Sequence, residues 1–129
     1  MAAFWQRIKQ ERKAKEEIKK EKRIQEYIEK REELLFQLEL TLRNSKKSEK
    51  EQVIQESIRE VTSRLEKLQV RVIKGEKLEL FDKEKHEVIA KQEVDAVEYN
   101  NKVLEIYGDG YEYEGKVIRK MHVMIGCVK

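Results

Sequence analysis

The chain has 129 residues, of which 43% are charged and 39% apolar, and its formal net charge is only +3. It contains no proline, five glycines and one cysteine, Cys127, so a disulfide within the chain is excluded. The composition is typical of long or coiled helices, and no apolar run reaches the roughly 20 residues needed to cross a bilayer. Because the start also lacks the apolar core of a signal peptide, we expect a cytoplasmic protein of one or two small domains.

The first stretch, from about Phe4 to Arg31, is strongly polar and contains no helix-breaking residue. Acidic residues precede basic ones by four positions, the favourable order for ion pairs on a helix, at Glu11 with Lys15, Glu16 with Lys20, and Glu26 with Lys30. We predict one continuous helix of about 40 residues, roughly 60 Å long, that leads into an apolar stripe. Its charges alternate in sign, which favours a solvated helical stalk over a basic arm for RNA or a membrane.

Two apolar stripes with alternating steps of four and three residues predict a helical hairpin. The second stripe is the more regular and consists of Ile54, Ile58, Val61, Leu65 and Leu68. The first is interrupted only by Arg31 and consists of Ile24, Ile28, Leu35, Leu38 and Leu42. Asn44–Lys50 joins them, and Ser48 followed by Glu51 has the pattern of a capping box, typical of a helix start.

A two-helix hairpin has too little core to stand alone, so we predict that a second copy covers it and forms a dimeric four-helix bundle. The residues expected at this dimer interface are Leu35, Leu38, Leu42, Ile54, Ile58, Val61, Leu65 and Leu68. The helical stalk and dimerisation bundle are expected to span residues 1–69.

Residues 70–129 alternate apolar with polar side chains, which predicts a small β domain of short strands. The expected strands include Val70 with Val72, Leu78 with Leu80, Val88 with Ile89, Val103–Tyr107, and Tyr111 with Tyr113. Asp95–Asn101 is loop-like, and Gly108-Asp109-Gly110 and Gly115 predict turns. The clearest strand places one set of side chains on the same face, namely Met121, Val123, Ile125 and Cys127, so a buried, inert Cys127 thiol is expected. The fold class is therefore α+β in two segregated parts.

Sequence motifs for catalysis or for nucleotide or metal binding are absent. There is no G-x-x-x-x-G-K-[ST], G-x-G-x-x-G, G-x-S-x-G or H-E-x-x-H. His86 and His122 are far apart in the chain, and Cys127 has no second cysteine with which to form a zinc site. We expect no catalytic residue, metal or cofactor, and interpret both histidines as structural or solvated. The residues alone predict a dimeric helical protein that displays a small β domain, which is an interaction architecture.

Two segments of the second half resemble motifs of one family. Phe81–Ile89, FDKEKHEVI, is similar to F-D-P-x-x-H-E-A-V/I, and Gly110–Val123, GYEYEGKVIRKMHV, is similar to G-Y-x-x-x-x-R-V-I-R-P-A-M-V. These are motifs of GrpE, the nucleotide-exchange cochaperone of DnaK-type heat-shock chaperones, and the order of long helix, hairpin and β domain agrees. The chain departs from these motifs at four places. Lys83 and Lys120 replace the two prolines, Lys116 replaces the first arginine, and Met121-His122 replaces the Ala-Met pair.

This resemblance implies a mechanism that needs no catalytic residue. A symmetric dimer binds one ATPase domain of a DnaK-type chaperone, and one β domain favours the open nucleotide cleft, so that ADP leaves. The resemblance places Lys116, Arg119, Tyr107 and Ile125 in the chaperone-contacting region. Core packing is the alternative role for Tyr107 and Ile125, whereas Lys116 follows the Gly115 turn and should be exposed.

Two other functions fit parts of the sequence. The first is a coiled-coil homodimeric adaptor whose β domain binds another protein, which shares the same fold. The second is RNA binding by the basic residues of the first helix, Arg7, Lys9, Arg12, Lys13, Lys15, Lys19 and Lys20. RNA binding would fall steeply with salt, and only Phe4 and Trp5 are placed to stack on bases. We therefore expect no nucleic-acid partner. Because the charges of the first helix alternate in sign, we expect no membrane partner either.

Overall fold

A computed structural model describes residues 2–43 and 49–129. The chain divides into a helical unit that ends at Leu68 and a β unit, Gln69–Lys129, so the predicted α+β class is confirmed. Neither helix in the described ranges has an apolar stretch long enough to cross a membrane. The predicted capping box depends on Ser48, which lies outside the described residues, as does the rest of the connection between the two helices, residues 44–48.

The helical unit consists of α1, Ala2–Arg43, and α2, Glu49–Lys67. With 42 residues, α1 confirms the continuous helix predicted from the polar first stretch. Arg31 contacts Thr62, and Tyr27 lies under the guanidinium of Arg64, so the two helices run antiparallel. The part of α1 before Ile24 extends beyond this pairing by roughly 33 Å at 1.5 Å per residue.

Apolar side chains from both helices form the seam of the hairpin. The buried ones are Ile24, Ile28, Leu34, Ile54, Val61 and Leu65. The predicted stripe does not include Leu34, because it continues from Arg31 to Leu35 in a step of four residues. In the structure the next buried residue after Arg31 is Leu34, three residues on. Leu42, which the spacing places on the same stripe, is 55% exposed in the single chain. The seam is therefore complete at the end of α2 and open near the connection.

Arg31, the one polar residue that interrupts the first stripe, is buried instead of turning to solvent, with 3% of its surface exposed. Its Nε donates a hydrogen bond to Thr62 Oγ1 on α2 over 2.9 Å. The Thr62 hydroxyl in turn donates to the backbone carbonyl of Ile58 over 2.7 Å. Because a buried polar group is stable only with such a partner, this link favours one register of the hairpin over others.

We expect Thr62→Val to lower the free energy of unfolding of the helical unit by about 1–3 kcal/mol, because a buried guanidinium loses an acceptor while the shape is kept. Urea denaturation followed by far-UV circular dichroism measures the change. Ser63→Ala, at the next and exposed position, is the matched control. Equal midpoints for the two variants would show that the Arg31–Thr62 link does not stabilise the hairpin.

The β unit has six strands in two three-stranded sheets, ordered β1-β4-β5 and β2-β6-β3. Only the β2–β6 pair is parallel among the strand pairs of this unit. The strands are β1 Val70–Ile73, β2 His86–Val94, β3 Val103–Gly108, β4 Gly110–Tyr113, β5 Lys116–Arg119 and β6 Met121–Val128. A short 3-10 helix, Val97–Tyr99, lies in the predicted loop between β2 and β3.

Four of these strands form one antiparallel ribbon that belongs to both sheets. Asp109 alone separates β3 from β4, and Lys120 alone separates β5 from β6. The pairing of β3 with β6 ends where Gly108 faces His122. Beyond the two junction residues, the pairing of β4 with β5 begins where Tyr111 faces Arg119. β1 adds to one end of this ribbon and β2 to the other.

The closed end of the ribbon is a two-residue turn between Tyr113 and Lys116. Glu114 has a φ of 51° and Gly115 a φ of 78°. Positive φ at both central residues is typical of the type I′ turn, whose twist matches that of the flanking strands. The turn predicted at Gly115 is thus confirmed, and it determines where Lys116 is displayed.

Two predictions about the turns and strands of the β unit are wrong. Gly108-Asp109-Gly110 does not reverse the chain, because it carries the ribbon from one sheet into the other. Leu78 and Leu80 do not form a regular strand: Leu80 makes a single bridge to Lys102, and Leu78 has a φ of 71°, which interrupts an extended backbone.

The core of the β unit is built on β6. Met121, Val123 and Ile125 form a buried cluster with Val103, and Ile73, Phe81, Val88 and Ile106 pack against it. The predicted alternation along this strand is correct for those three residues. Cys127, the fourth of the series, is exposed because the apolar cluster ends at Ile125, so the prediction of a buried thiol is wrong.

Candidate partner-binding surface

Lys116 is exposed directly after the closed end of the ribbon, as the sequence predicts. It begins β5, which is an edge strand of its sheet. Exposure alternates along β5, with Lys116 and Ile118 exposed and Val117 and Arg119 half-buried. Because successive side chains of a strand point to opposite faces, Lys116 and Arg119 do not share a face. The structure therefore places both predicted residues on one strand but gives them different surroundings.

Arg119 lies where the ribbon passes between the sheets. Its partner across the ladder is Tyr111, whose side chain is fully buried. A Cβ on the neighbouring Gly110 would lie 3.2 Å from Met121 Cγ and 3.3 Å from the Arg119 carbonyl oxygen. This close approach favours glycine at position 110 and keeps the backbone around Arg119 tightly packed.

Tyr107 and Ile125 have opposite environments. Tyr107 is 57% exposed and sits where β3 shifts register against β6, and its hydroxyl donates to Met124 Sδ over 3.7 Å. Ile125 is only 5% exposed and belongs to the core cluster. Of the two roles considered for these residues, core packing therefore fits Ile125, whereas Tyr107 is available at the surface.

The face of the β2-β6-β3 sheet that carries Tyr107 also carries side chains that the sequence analysis did not assign to the site. Because Val123 and Ile125 face the core, Met124 and His122 point away from it. His122 Nε2 lies 3.2 Å from the Glu87 carboxylate on β2. The only sequence indication of this face is the period-two alternation of β6, since the neighbours on β2 and β3 depend on a register that the sequence does not reveal.

His86, at the centre of the first family-like segment, has a structural role. It is buried, and its Nδ1 accepts the Asp82 backbone N–H over 2.9 Å. This network assigns the hydrogen to Nε2, which donates to Glu79 Oε1 over 2.8 Å. Phe81 stacks on the imidazole with ring centroids 5.9 Å apart. The segment is therefore a tightly bonded turn that leads into β2.

The chemistry available at this surface is that of binding. Among the residues that the structure describes, no three His, Cys, Asp or Glu side chains converge to hold a metal ion. The exposed Tyr107 and its contact with Met124 are features of a protein–protein contact, where aromatic residues and methionine are enriched. Together with the long helix and the hairpin, these are features of an interaction protein.

The comparison with known families identifies the kind of interaction protein. The GrpE family model matches residues 1–126, and the chain therefore belongs to the GrpE family. Members of this family are nucleotide-exchange cochaperones of the heat-shock response and not catalytic enzymes in the usual sense. No curated protein sequence matches the chain at a significant level.

Proposed function

We propose that this protein binds the ATPase domain of a DnaK-type heat-shock chaperone through its β unit and promotes the release of ADP. The family match over residues 1–126 is the observation that carries the proposal. The exposed position of Lys116, where the family motif has an arginine, supports a contact at the closed end of the ribbon.

The mechanism requires only that the β unit binds the open nucleotide cleft more tightly than the closed one. A binding partner shifts a conformational equilibrium by its differential affinity for the two states. To change the ratio of open to closed clefts from 1:99 to 99:1, the β unit would have to bind the open cleft about 10⁴-fold more tightly than the closed one. A ribbon paired along its length by backbone hydrogen bonds suits this role, because a flexible segment would adapt to both states and discriminate less between them.

Within this proposal the four candidate residues have different tasks. Lys116 makes the direct ionic contact, and the exposed Tyr107 supplies aromatic contact area. Arg119 is half-buried beside Tyr111 and contributes to both the contact and the ribbon. Ile125 supports the surface from within the core.

We also propose that residues 1–69 hold the protein together as a homodimer through the hairpin. Of the predicted interface, Ile54, Val61 and Leu65 are already buried within one chain, and Leu35, Leu38, Ile58 and Leu68 are half-buried. Large apolar side chains left uncovered on the hairpin lie near its connection, where a second copy would cover them, and they are Phe36, Leu40, Leu42 and Val53.

Replacing both Leu42 and Val53 by Asp is expected to convert the dimer into a monomer that keeps its helices. These side chains are 55% and 61% exposed in the single chain, so the substitutions spare the seam within the hairpin but place charges in the interface between copies. Sedimentation and circular dichroism measure mass and helicity. Gln52→Asp, one position before Val53, is the control. A variant that stays dimeric would show that the interface lies elsewhere.

Release of labelled ADP from a DnaK-type chaperone, with and without this protein, tests the function. We expect the release rate to rise with the concentration of this protein and then to saturate. The adaptor alternative predicts that the β unit binds another protein while ADP release is unchanged. An unaltered rate at concentrations where binding to the chaperone is demonstrated would contradict the exchange function.

A further inference from the structure

The start of α1 exposes two adjacent aromatic side chains that the exchange function does not use. Phe4 is 63% and Trp5 60% exposed, and their rings pack edge to face with centroids 5.8 Å apart. Ile8, four residues after Phe4, lies on the same face of the helix. We refer to the segment Ala2–Lys15, about four helical turns, as the tip of α1.

The positive charge of α1 is concentrated in this tip. It contains five basic residues and one acidic residue, Glu11, whereas residues 16–23 carry four basic and three acidic ones. The alternation of charge over Phe4–Arg31 as a whole, which led us to expect no membrane partner, hides this local excess.

We propose that the tip of α1 is a reversible binding site for the surface of an anionic phospholipid bilayer. Tryptophan and phenylalanine are the side chains that partition to the boundary between headgroups and acyl chains. Basic residues next to them are attracted to anionic headgroups, and long lysine and arginine stems can lie along the apolar boundary. The aromatic pair and the basic excess are thus two complementary parts of one surface contact, which keeps the helix outside the hydrocarbon core.

Other occupants fit the tip less well. A second copy that paired along Phe4 and Ile8 would bring Glu11 and Lys15 into the same seam, since these continue the steps of three and four residues, and charged seam residues weaken a coiled coil. Single-stranded RNA would use the same cations, but its affinity depends on several stacking platforms, and the tip offers only one adjacent pair. The bilayer surface uses both the aromatic rings and the charges.

Trp5 is the single tryptophan of the chain and reports on the tip directly. We expect its fluorescence to shift to shorter wavelength, and to become protected from an aqueous quencher, when vesicles of phosphatidylcholine and phosphatidylglycerol are added to the protein. Vesicles of phosphatidylcholine alone should give little change, and salt should reverse the shift because it screens the attraction.

Two variants separate the parts of the contact while retaining Trp5 as the probe. Arg12→Glu with Lys13→Glu should weaken partitioning to the mixed vesicles at least about tenfold, and Phe4→Ser should weaken it at every salt concentration. Lys74→Glu with Lys91→Glu, two exposed lysines of the β unit, makes the same change in net charge and should have no effect.

Several results would overturn the proposal. These are an unshifted Trp5 spectrum with mixed vesicles, equal binding to neutral vesicles, or an equal loss in the two charge-reversal variants. A shift that depends on protein concentration without vesicles would show that a second copy covers the tip. A shift produced by a single-stranded RNA oligomer and not by vesicles would assign the tip to RNA. None of these results bears on ADP release, so the exchange function is tested separately.

Discussion

Leu65→Asp is expected to unfold the helical unit. Leu65 is fully buried in the seam between α1 and α2 of a single chain. Truncating a buried leucine alone costs about 2–5 kcal/mol, and an aspartate at this position adds the cost of placing a carboxylate among the apolar side chains of the seam. The total is comparable with the whole stability of a small domain, about 5–15 kcal/mol. Far-UV circular dichroism should show loss of most of the helical signal at room temperature.

Ser63→Asp is the matched control for this substitution. It introduces the same side chain into the same helix, two residues earlier, at an exposed position. We expect its melting temperature to change little, because surface substitutions usually alter the free energy of unfolding by about 0.5 kcal/mol or less. If Leu65→Asp melted like Ser63→Asp, the hairpin seam described here would not be the core of the helical unit.

Lys116→Glu is expected to reduce the rate of ADP release about 30-fold at subsaturating protein. Binding energy at protein interfaces concentrates in few residues, and the loss of one charged contact with reversal of its sign is worth about 2 kcal/mol. The side chain is exposed beyond the turn at Glu114 and Gly115, so the substitution should leave the β unit folded. The measurement is the release rate of labelled ADP, with circular dichroism and mass as checks on the fold and on the dimer.

Arg119→Glu should be measured separately from Lys116→Glu, because the two side chains lie on opposite faces of β5 and Arg119 is half-buried. A loss of exchange in this variant counts only if the β unit remains folded. Lys91→Glu, at an exposed position of β2, controls for net charge. Full exchange activity in correctly folded Lys116→Glu would refute the proposed contact at the closed end of the ribbon while leaving the family assignment intact.

The sequence predicted the elements whose periodicity is local. The unbroken α1, the helical stripe of α2 and the alternation of Met121, Val123 and Ile125 all follow from spacing along the chain. Leu78 looked like part of a strand because alternation does not reveal a left-handed backbone angle at a leucine. The Gly108–Gly110 segment looked like a reversal because glycines are equally suited to a close approach between a ribbon and its neighbours.

Burial of polar residues was the other property that the sequence could not supply. Arg31 appears in the pattern as a defect, and only the position of Thr62 on the facing helix shows that it is a buried contact. For the candidate site, too, the sequence predicted what depends on local structure and not what depends on contacts between distant segments. The exposure of Lys116 follows from a local turn, whereas the faces occupied by Arg119, Tyr107 and His122 depend on strand register and on which strands are neighbours.

The continuous ribbon also determines the order in which the β unit can assemble. Starting from the turn at Glu114 and Gly115, each successive pair along the ribbon closes a loop only slightly larger than the one before it, so the entropy of loop closure is incurred in small steps. The pairings of β1 with β4 and of β2 with β6 join segments much farther apart in the chain, and such contacts form more slowly. We therefore expect the ribbon to form first and the outer strands to add to it, so that assembly of the β unit begins at the segment that carries Lys116.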